Sequence, residues 1–148
     1  MVEITEGILT KVIKKRKSAT HKGNYGRILL IGGSENYGGA IIMSTEGAIA
    51  AGSGLVAVAT HSMNLTALHA RDPEAMYIDW RDHSLPNLVK NMDVVVCGPG
   101  LGTSAFAKKI LVMLKDIVSK KQTLVLDASA LDLIAKDHEL LPFNAGHI

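Results

Sequence analysis

The stretch that decides the fold is RILLIGGSENYGGA, residues 27–40. Its apolar run Ile28–Ile31 has no polar break. That pattern belongs to a strand buried on both faces, as inside a parallel sheet. A glycine-rich segment, Gly32 to Gly39, follows at once. Ala40 to Ala51 is then small and apolar, interrupted by Gly47, and predicts a helix packed closely on the sheet. Gly52 and Gly54 supply its stop.

The same strand–turn–helix rhythm repeats outward from this point. GLVAVAT (54–60) reads as a second buried strand, DVVVCGPG (93–100) as a third strong one and TLVLDAS (123–129) as a fourth. Between them, 64–70 suggests a helix, Pro73 a break and 75–78 a short strand. Residues 84–91 predict a helix with Pro86 in its first turn. Residues 104–118 predict an amphipathic helix with Ile110, Leu111, Leu114, Ile117 and Val118 on one side. Residues 130–135 predict a short helix, and Ala145-Gly146-His147-Ile148 resembles the approach to another strand. Upstream, Ile4, Ile8, Leu9, Val12 and Ile13 recur at helical spacing with Thr5 as a cap. Ser18 to Gly26 reads as a loop. Strands alternating with helices require crossover connections, hence a mostly parallel sheet with helices on both faces. We expect a three-layer, doubly wound α/β domain over 1–148: an N-terminal helix and loop in 1–20, then βα units over 21–148.

Composition narrows the function. The 148 residues are 47% hydrophobic and 20% charged, ordinary values for a globular chain. Aromatics make up 4%, which disfavours base-stacking platforms for nucleic acid. The net charge of +2 is too small for an extended phosphate-binding surface. The basic run Lys11, Lys14, Lys15, Arg16, Lys17 reads as a solvated helix face. The single cysteine, Cys97, excludes an internal disulfide. No apolar run approaches a membrane span and MVEITEGIL lacks a signal-peptide layout, so a cytoplasmic protein without membrane or nucleic-acid partners is expected.

The chemistry is expected at the strand ends, because ligands of open parallel sheets bind outside the carboxyl ends of the strands. The first strand ends in GGSENYGGA, the third in GPGLG and the fourth in Asp127-Ala128-Ser129. Glycine accepts positive φ and lets a ligand approach the backbone. A helix starting just beyond aims free N–H groups at an anion. Gly102 followed by Thr103 and Ser104 suits such a start, since a hydroxyl can cap it. Two glycine turns on one rim would make a backbone-lined floor for an anionic, nucleotide-like ligand. The competing reading is that these glycines only make tight turns. Neither segment is a P-loop or a Gly-x-Gly-x-x-Gly fingerprint. Asp127 reads as a helix cap, or as an acceptor for a ligand hydroxyl. Asn36 and Tyr37 suit either the pocket or a surface loop.

Together, HKGNYGRILLIGGSENYGGA, AIAAGSGLVAVAT, HARDPEAM, DVVVCGPGLG and LVLDASAL resemble, in order, the motifs of the ADP/ATP-dependent NAD(P)H-hydrate dehydratases. The match runs from His21 to Leu131. It implies a ribokinase-like fold, of which this chain resembles the N-terminal half. It implies repair of NADH or NADPH hydrated on the nicotinamide ring. ADP or ATP, with Mg2+ as companion, phosphorylates the added hydroxyl, and loss of phosphate restores the cofactor. The resemblance places substrate contacts at Ala40 and Gly102; the geometry of the two turns adds Gly39 and Gly100 as their neighbours. It also implies a homo-oligomer and an NAD(P)H-hydrate epimerase as a pathway partner.

Family members are longer. Their remaining half carries a Thr-Pro-His segment, a lysine-glycine nucleotide loop and a Gly-Thr-Gly-Asp motif with the general base. None of these occurs here, so the chain alone is expected to be inactive and no catalytic residue is assigned to it. His147 lies in Ala-Gly-His-Ile and takes no family role. Ser129 stands where many relatives have aspartate. Two other readings remain open: a small-molecule kinase acting on a vitamin precursor, and a non-catalytic nucleotide-binding fragment.

Other residues read as structural. Cys97 is expected to be a buried thiol. His61, His83 and His138 read as surface or loop histidines with no partners at metal spacing. His69, Arg71 and Glu74 suit structural or interface roles. Met43 and Met76 suit packing. Trp80 and Arg81 carry no clear signal. Ending after four or five strands would leave a sheet edge open to self-association.

Overall fold

A computed structural model describes residues 18–148 together with Gly7, Ile8 and Lys15. The helix expected over residues 4–13 lies outside the described residues, apart from Gly7 and Ile8, which are helical. Most of the basic run 11–17 lies outside them too.

Among the described residues, five strands form one sheet: β1 Arg27–Ile31, β2 Leu55–Thr60, β3 Met76–Asp79, β4 Val94–Cys97 and β5 Thr123–Leu126, in spatial order β3-β2-β1-β4-β5. Every pairing is parallel. Leu29 is in register with Ala57 and Val95, and Ile31 with Ala59 and Cys97. The helices are α1 Gly38–Ala50, α2 Leu65–Arg71, α3 Leu85–Lys90, α4 Ala105–Ile117 and α5 Ser129–Lys136.

Strand side chains alternate between two cores, as a pleated strand requires. Leu29, Ile31, Ala57, Ala59, Val95, Cys97 and Leu124 pack with Val89 of α3, Leu111 and Leu114 of α4, and Ala130 of α5. Leu30, Val56 and Val58 face the other way, onto Ile41 of α1 and Leu68 of α2. Helices thus cover both faces, and the doubly wound three-layer expectation holds. Small residues at Ala57 and Ala59 let the helices approach a sheet built almost without aromatics.

The strand order sets the site. From β1 the chain moves outward to β2 and β3, then returns to the other side of β1 for β4. The connections diverge between β1 and β4. Such a switch point opens a crevice at the carboxyl ends of those two strands.

Several local expectations change. Helix α1 begins at Gly38, two residues before Ala40. The 18–26 loop contains one 3-10 turn, Lys22–Tyr25. Asp127 does not cap α5 with its side chain. The N-cap is Ala128, at φ +43°, and it makes no side-chain cap bond. The terminal approach to a strand is present: Leu124 N–H donates to the His147 carbonyl at 2.9 Å, and Thr123 and His147 form a parallel bridge. Among the described residues, no helix is long and apolar enough to cross a membrane.

Candidate functional site

The β1–α1 and β4–α4 turns meet directly. Gly33 N–H donates to the Pro99 carbonyl at 2.9 Å, and Ser34 N–H to the Gly100 carbonyl at 2.6 Å. The contact requires bare backbone. A Cβ on Gly32 would strike the Pro99 carbonyl, and one on Gly100 would strike that of Tyr37. Gly100 also holds φ +63°, where side chains are strained. A Cβ there would lie 3.2 Å from the Ala40 Cβ. Gly102, at φ +75°, lies beside Ser34; its Cβ would stand 3.6 Å from Ser34 Oγ.

Gly39, Ala40, Gly100 and Gly102 therefore share one rim, at the carboxyl ends of β1 and β4. Gly39 and Ala40 are exposed, and the other two half-buried. Two helix N-termini open beside this rim. The first N–H groups of any helix lack intrahelical acceptors and carry a partial positive charge. In α1 these belong to Gly38 and Gly39. In α4, Ser104 caps the turn by accepting the Ala107 N–H at 3.2 Å, as its hydroxyl suggested. The rim is thus suited to an anionic ligand held mainly by backbone. The end of β5 joins it, since Gly102 N–H donates to Ser129 Oγ at 3.1 Å. Asp127 is exposed at the same end.

A cavity of about 250 Å³ flanks the rim, lined by Ser34, Glu35, His61, Trp80, Arg81 and Ser104 among others. His61 is not a surface histidine. It is 8% exposed, its Nε2 stands 3.2 Å from Glu35 Oε1, and its Nδ1 accepts the Met63 N–H at 3.3 Å. The ring also meets Trp80 edge-on at 6.1 Å. Trp80 is buried, and Arg81 lies 5.5 Å over the Phe106 ring. Sequence reasoning gives these two no role, because tryptophan and arginine follow a strand end whose neighbours only the fold supplies.

Cys97 is buried, and burial pushes its thiol up to about 12, so the thiolate required for nucleophilic chemistry is disfavoured. Arg71 pairs with Glu46, and His69 packs edge-on against Tyr77, both structural roles. Met43 and Met76 do not pack as expected: they are 71% and 51% exposed. The buried positions of α1 are Ile41 and Thr45, and no residue of β3 is fully buried. Asn36 and Tyr37 are exposed on the loop. Among the described residues, no cluster of three or more His, Cys, Asp or Glu side chains could hold a metal ion.

Known proteins share this architecture. The family model described as NAD(P)H-hydrate dehydratase matches residues 28–148. An ADP-dependent (S)-NAD(P)H-hydrate dehydratase of Lactiplantibacillus plantarum is 50% identical over 143 residues, which is 96% of this chain and 51% of that protein. Its counterpart in Lactococcus lactis is 49% identical over 97% of this chain and 52% of its own length. A solved ribokinase-like superfamily protein from Enterococcus faecalis superposes with a TM-score of 0.89 at 45% identity, covering 91% of this chain and 48% of that one. An ADP/ATP-dependent NAD(P)H-hydrate dehydratase of Bacillus subtilis, co-crystallised with ATP and Mg2+, gives 0.71 at 24% identity, covering 86% and 46%, and shares the fold. The chain spans about half the length of the curated relatives it matches. With the switch-point rim, the parallel sheet and a match over residues 28–148 in agreement, the chain belongs to the NAD(P)H-hydrate dehydratase family.

Proposed function

We propose that this chain supplies the substrate-side half of an ADP- or ATP-dependent dehydratase that restores hydrated NADH or NADPH. The observation that carries the reading is the join of the two glycine turns, Ser34 N–H to Gly100 O, at the switch point between β1 and β4. It sets two helix N-termini side by side over a rim of bare backbone, which favours a phosphate-bearing ligand.

The reaction has a simple logic. Hydroxide leaves poorly near neutral pH and phosphate leaves well. A nucleotide's terminal phosphoryl group passes to the oxygen of the hydroxyl on the nicotinamide ring, the hydroxyl proton is released to a base or to water, and the nucleotide departs one phosphate shorter. The ring nitrogen's lone pair then expels inorganic phosphate, and loss of a proton from the neighbouring carbon restores the double bond. In this chain, Gly39, Ala40, Gly100 and Gly102 hold and orient the substrate through backbone and small surfaces. None is a base, so this chain's part is binding and orientation. The relatives at 50% and 49% identity are ADP-dependent, which favours ADP as donor. An Mg2+ ion entering with the nucleotide would keep mainly phosphate and water ligands.

The test uses the protein carrying this chain together with the rest of the family fold. Supplied with hydrated NADH and ADP, it should restore the reduced-nicotinamide absorbance and release inorganic phosphate. Phosphate retained on a small-molecule product would favour a kinase of the same fold instead. No nucleotide-dependent recovery of NADH would end the dehydratase reading.

A further inference from the structure

One peptide group, Gly33–Ser34, ties the rim to the end of β2. The Gly33 carbonyl accepts three donors: Thr60 Oγ1 at 2.8 Å, Asn64 Nδ2 at 2.6 Å and His61 N–H at 3.3 Å. Asn64 Nδ2 also donates to Thr60 Oγ1 at 2.8 Å. Thr60 is fully buried and Asn64 is 7% exposed. A carbonyl oxygen has two lone pairs, so three donors saturate it. The N–H on the other side of this peptide, that of Ser34, donates to Gly100 O at 2.6 Å. Hydrogen bonds on both sides of a peptide polarise it and reinforce one another in a buried setting.

The five residues Thr60-His61-Ser62-Met63-Asn64 thus grip the β1–α1 turn from one side, and the β4–α4 turn holds it from the other. Two further contacts narrow its freedom. The His61 imidazole reaches Glu35 in the same turn at 3.2 Å. Gly38, the first residue of α1, lies against the Asn64 side chain so closely that a Cβ would collide with it.

We propose that Thr60 and Asn64 are positioning residues of the substrate rim. Acting through the Gly33 carbonyl, they fix where α1 begins relative to Gly100 and Gly102, and they do not touch the ligand. This rests on the dehydratase reading. It assigns a role to two residues that sit on β2 and the turn beyond it, away from the glycine motifs. A small displacement of a ligand-holding group costs a large factor in rate or binding, so buried residues that set the rim matter for the reaction as well as for stability.

The experiment uses the complete protein with Thr60→Val, Thr60→Ser and Asn64→Ala. Valine keeps the shape of threonine and removes the donor; serine keeps the donor. Thr60→Val and Asn64→Ala should raise KM for hydrated NADH about tenfold, consistent with a displaced binding group. KM for ADP should stay within about twofold, and Thr60→Ser should restore the wild-type hydrate KM. In parallel, amide exchange at Ser34 and Tyr37 should quicken in Thr60→Val and Asn64→Ala, while Leu29 to Ile31 stay protected. Wild-type hydrate KM in both donor-less variants would overturn the proposal. So would an equal rise in the hydrate and ADP constants, which marks general loosening. If one variant does not fold, the other decides. A wild-type protein inactive on hydrated NADH would defeat the dehydratase reading instead, and unchanged Ser34 exchange would then defeat the clamp separately.

Discussion

Gly102 and Ser129 lie 27 positions apart in the chain, yet the Gly102 N–H donates to the Ser129 hydroxyl at 3.1 Å. The bond links the last glycine of the GPGLG turn to the first residue of α5. The segments that follow β4 and β5 thereby become one structural unit. Ser129, where the family resemblance leads one to expect aspartate, still presents an oxygen acceptor.

Removing that acceptor has a defined cost. Ser129→Ala should lower stability by about 1 kcal/mol, the usual net worth of one such bond. For a domain of this size that is roughly 2–4 °C in Tm. Ser129→Asp should retain stability, since a carboxylate accepts the same N–H and stands at a helix N-terminus. Thermal unfolding followed by far-ultraviolet circular dichroism reads both. An alanine variant that melts with wild type would remove the structural role of the Ser129 hydroxyl.

The rim glycines should separate by their surroundings. Gly100 holds φ +63° and has no room for a Cβ beside Tyr37. Gly100→Ala should therefore destabilise by about 1–3 kcal/mol from backbone strain alone, with steric cost added. Gly39 is the second residue of α1, and a Cβ added to it would meet no side chain or other element within 4 Å. Gly39→Ala should stabilise by less than the value for a helix-interior site, about 0.5–1 kcal/mol. In the complete protein the same methyl would crowd the rim and raise KM for hydrated NADH. Urea titration and steady-state kinetics check the two halves. A stabilised Gly39→Ala protein with unchanged hydrate KM would place the ligand elsewhere.

One contribution to acid sensitivity should come from the amino-terminal edge of the sheet. Asp93 precedes β4 and accepts the Arg27 backbone N–H at 2.8 Å and its guanidinium at 2.9 and 3.2 Å. The Arg27 side-chain hydrogen bonds hold the Asp93 carboxyl below its ordinary value. A carboxylate depressed in the folded state contributes stability that is complete above its unfolded value and is lost as pH falls through the folded one. Asp93→Asn should therefore melt below wild type at neutral pH, and the gap should close on acidification through and below the ordinary carboxylate range. The pair is about half exposed, so the effect is modest and weakens with salt. A gap unchanged from neutral to strongly acidic pH would contradict this assignment.

Much of the architecture is readable along the chain because it rests on local signals. Unbroken apolar runs mark β1, β2, β4 and β5, and hydroxyl and glycine signals mark the start of α4 and the end of α1. The glycine turns are readable for the same reason: a tight bend or close approach leaves its mark as a missing side chain. Less is visible where a role depends on partners distant in sequence. His61 reads as a loop histidine, and its burial against Glu35 and Trp80 follows from β2 and β3 ending side by side. Met43 and Met76 read as packing residues, and only the direction of each side chain exposes them.

The sequence by itself determined the elements, their parallel arrangement and the family motifs, because periodicity and turn chemistry act over a few residues. Tertiary structure alone decided that β4 lies against β1, that the two glycine turns interlock, and that Thr60 and Asn64 share the Gly33 carbonyl. Those facts depend on strand order and on the saturation of buried polar groups. No single stretch of chain contains both partners.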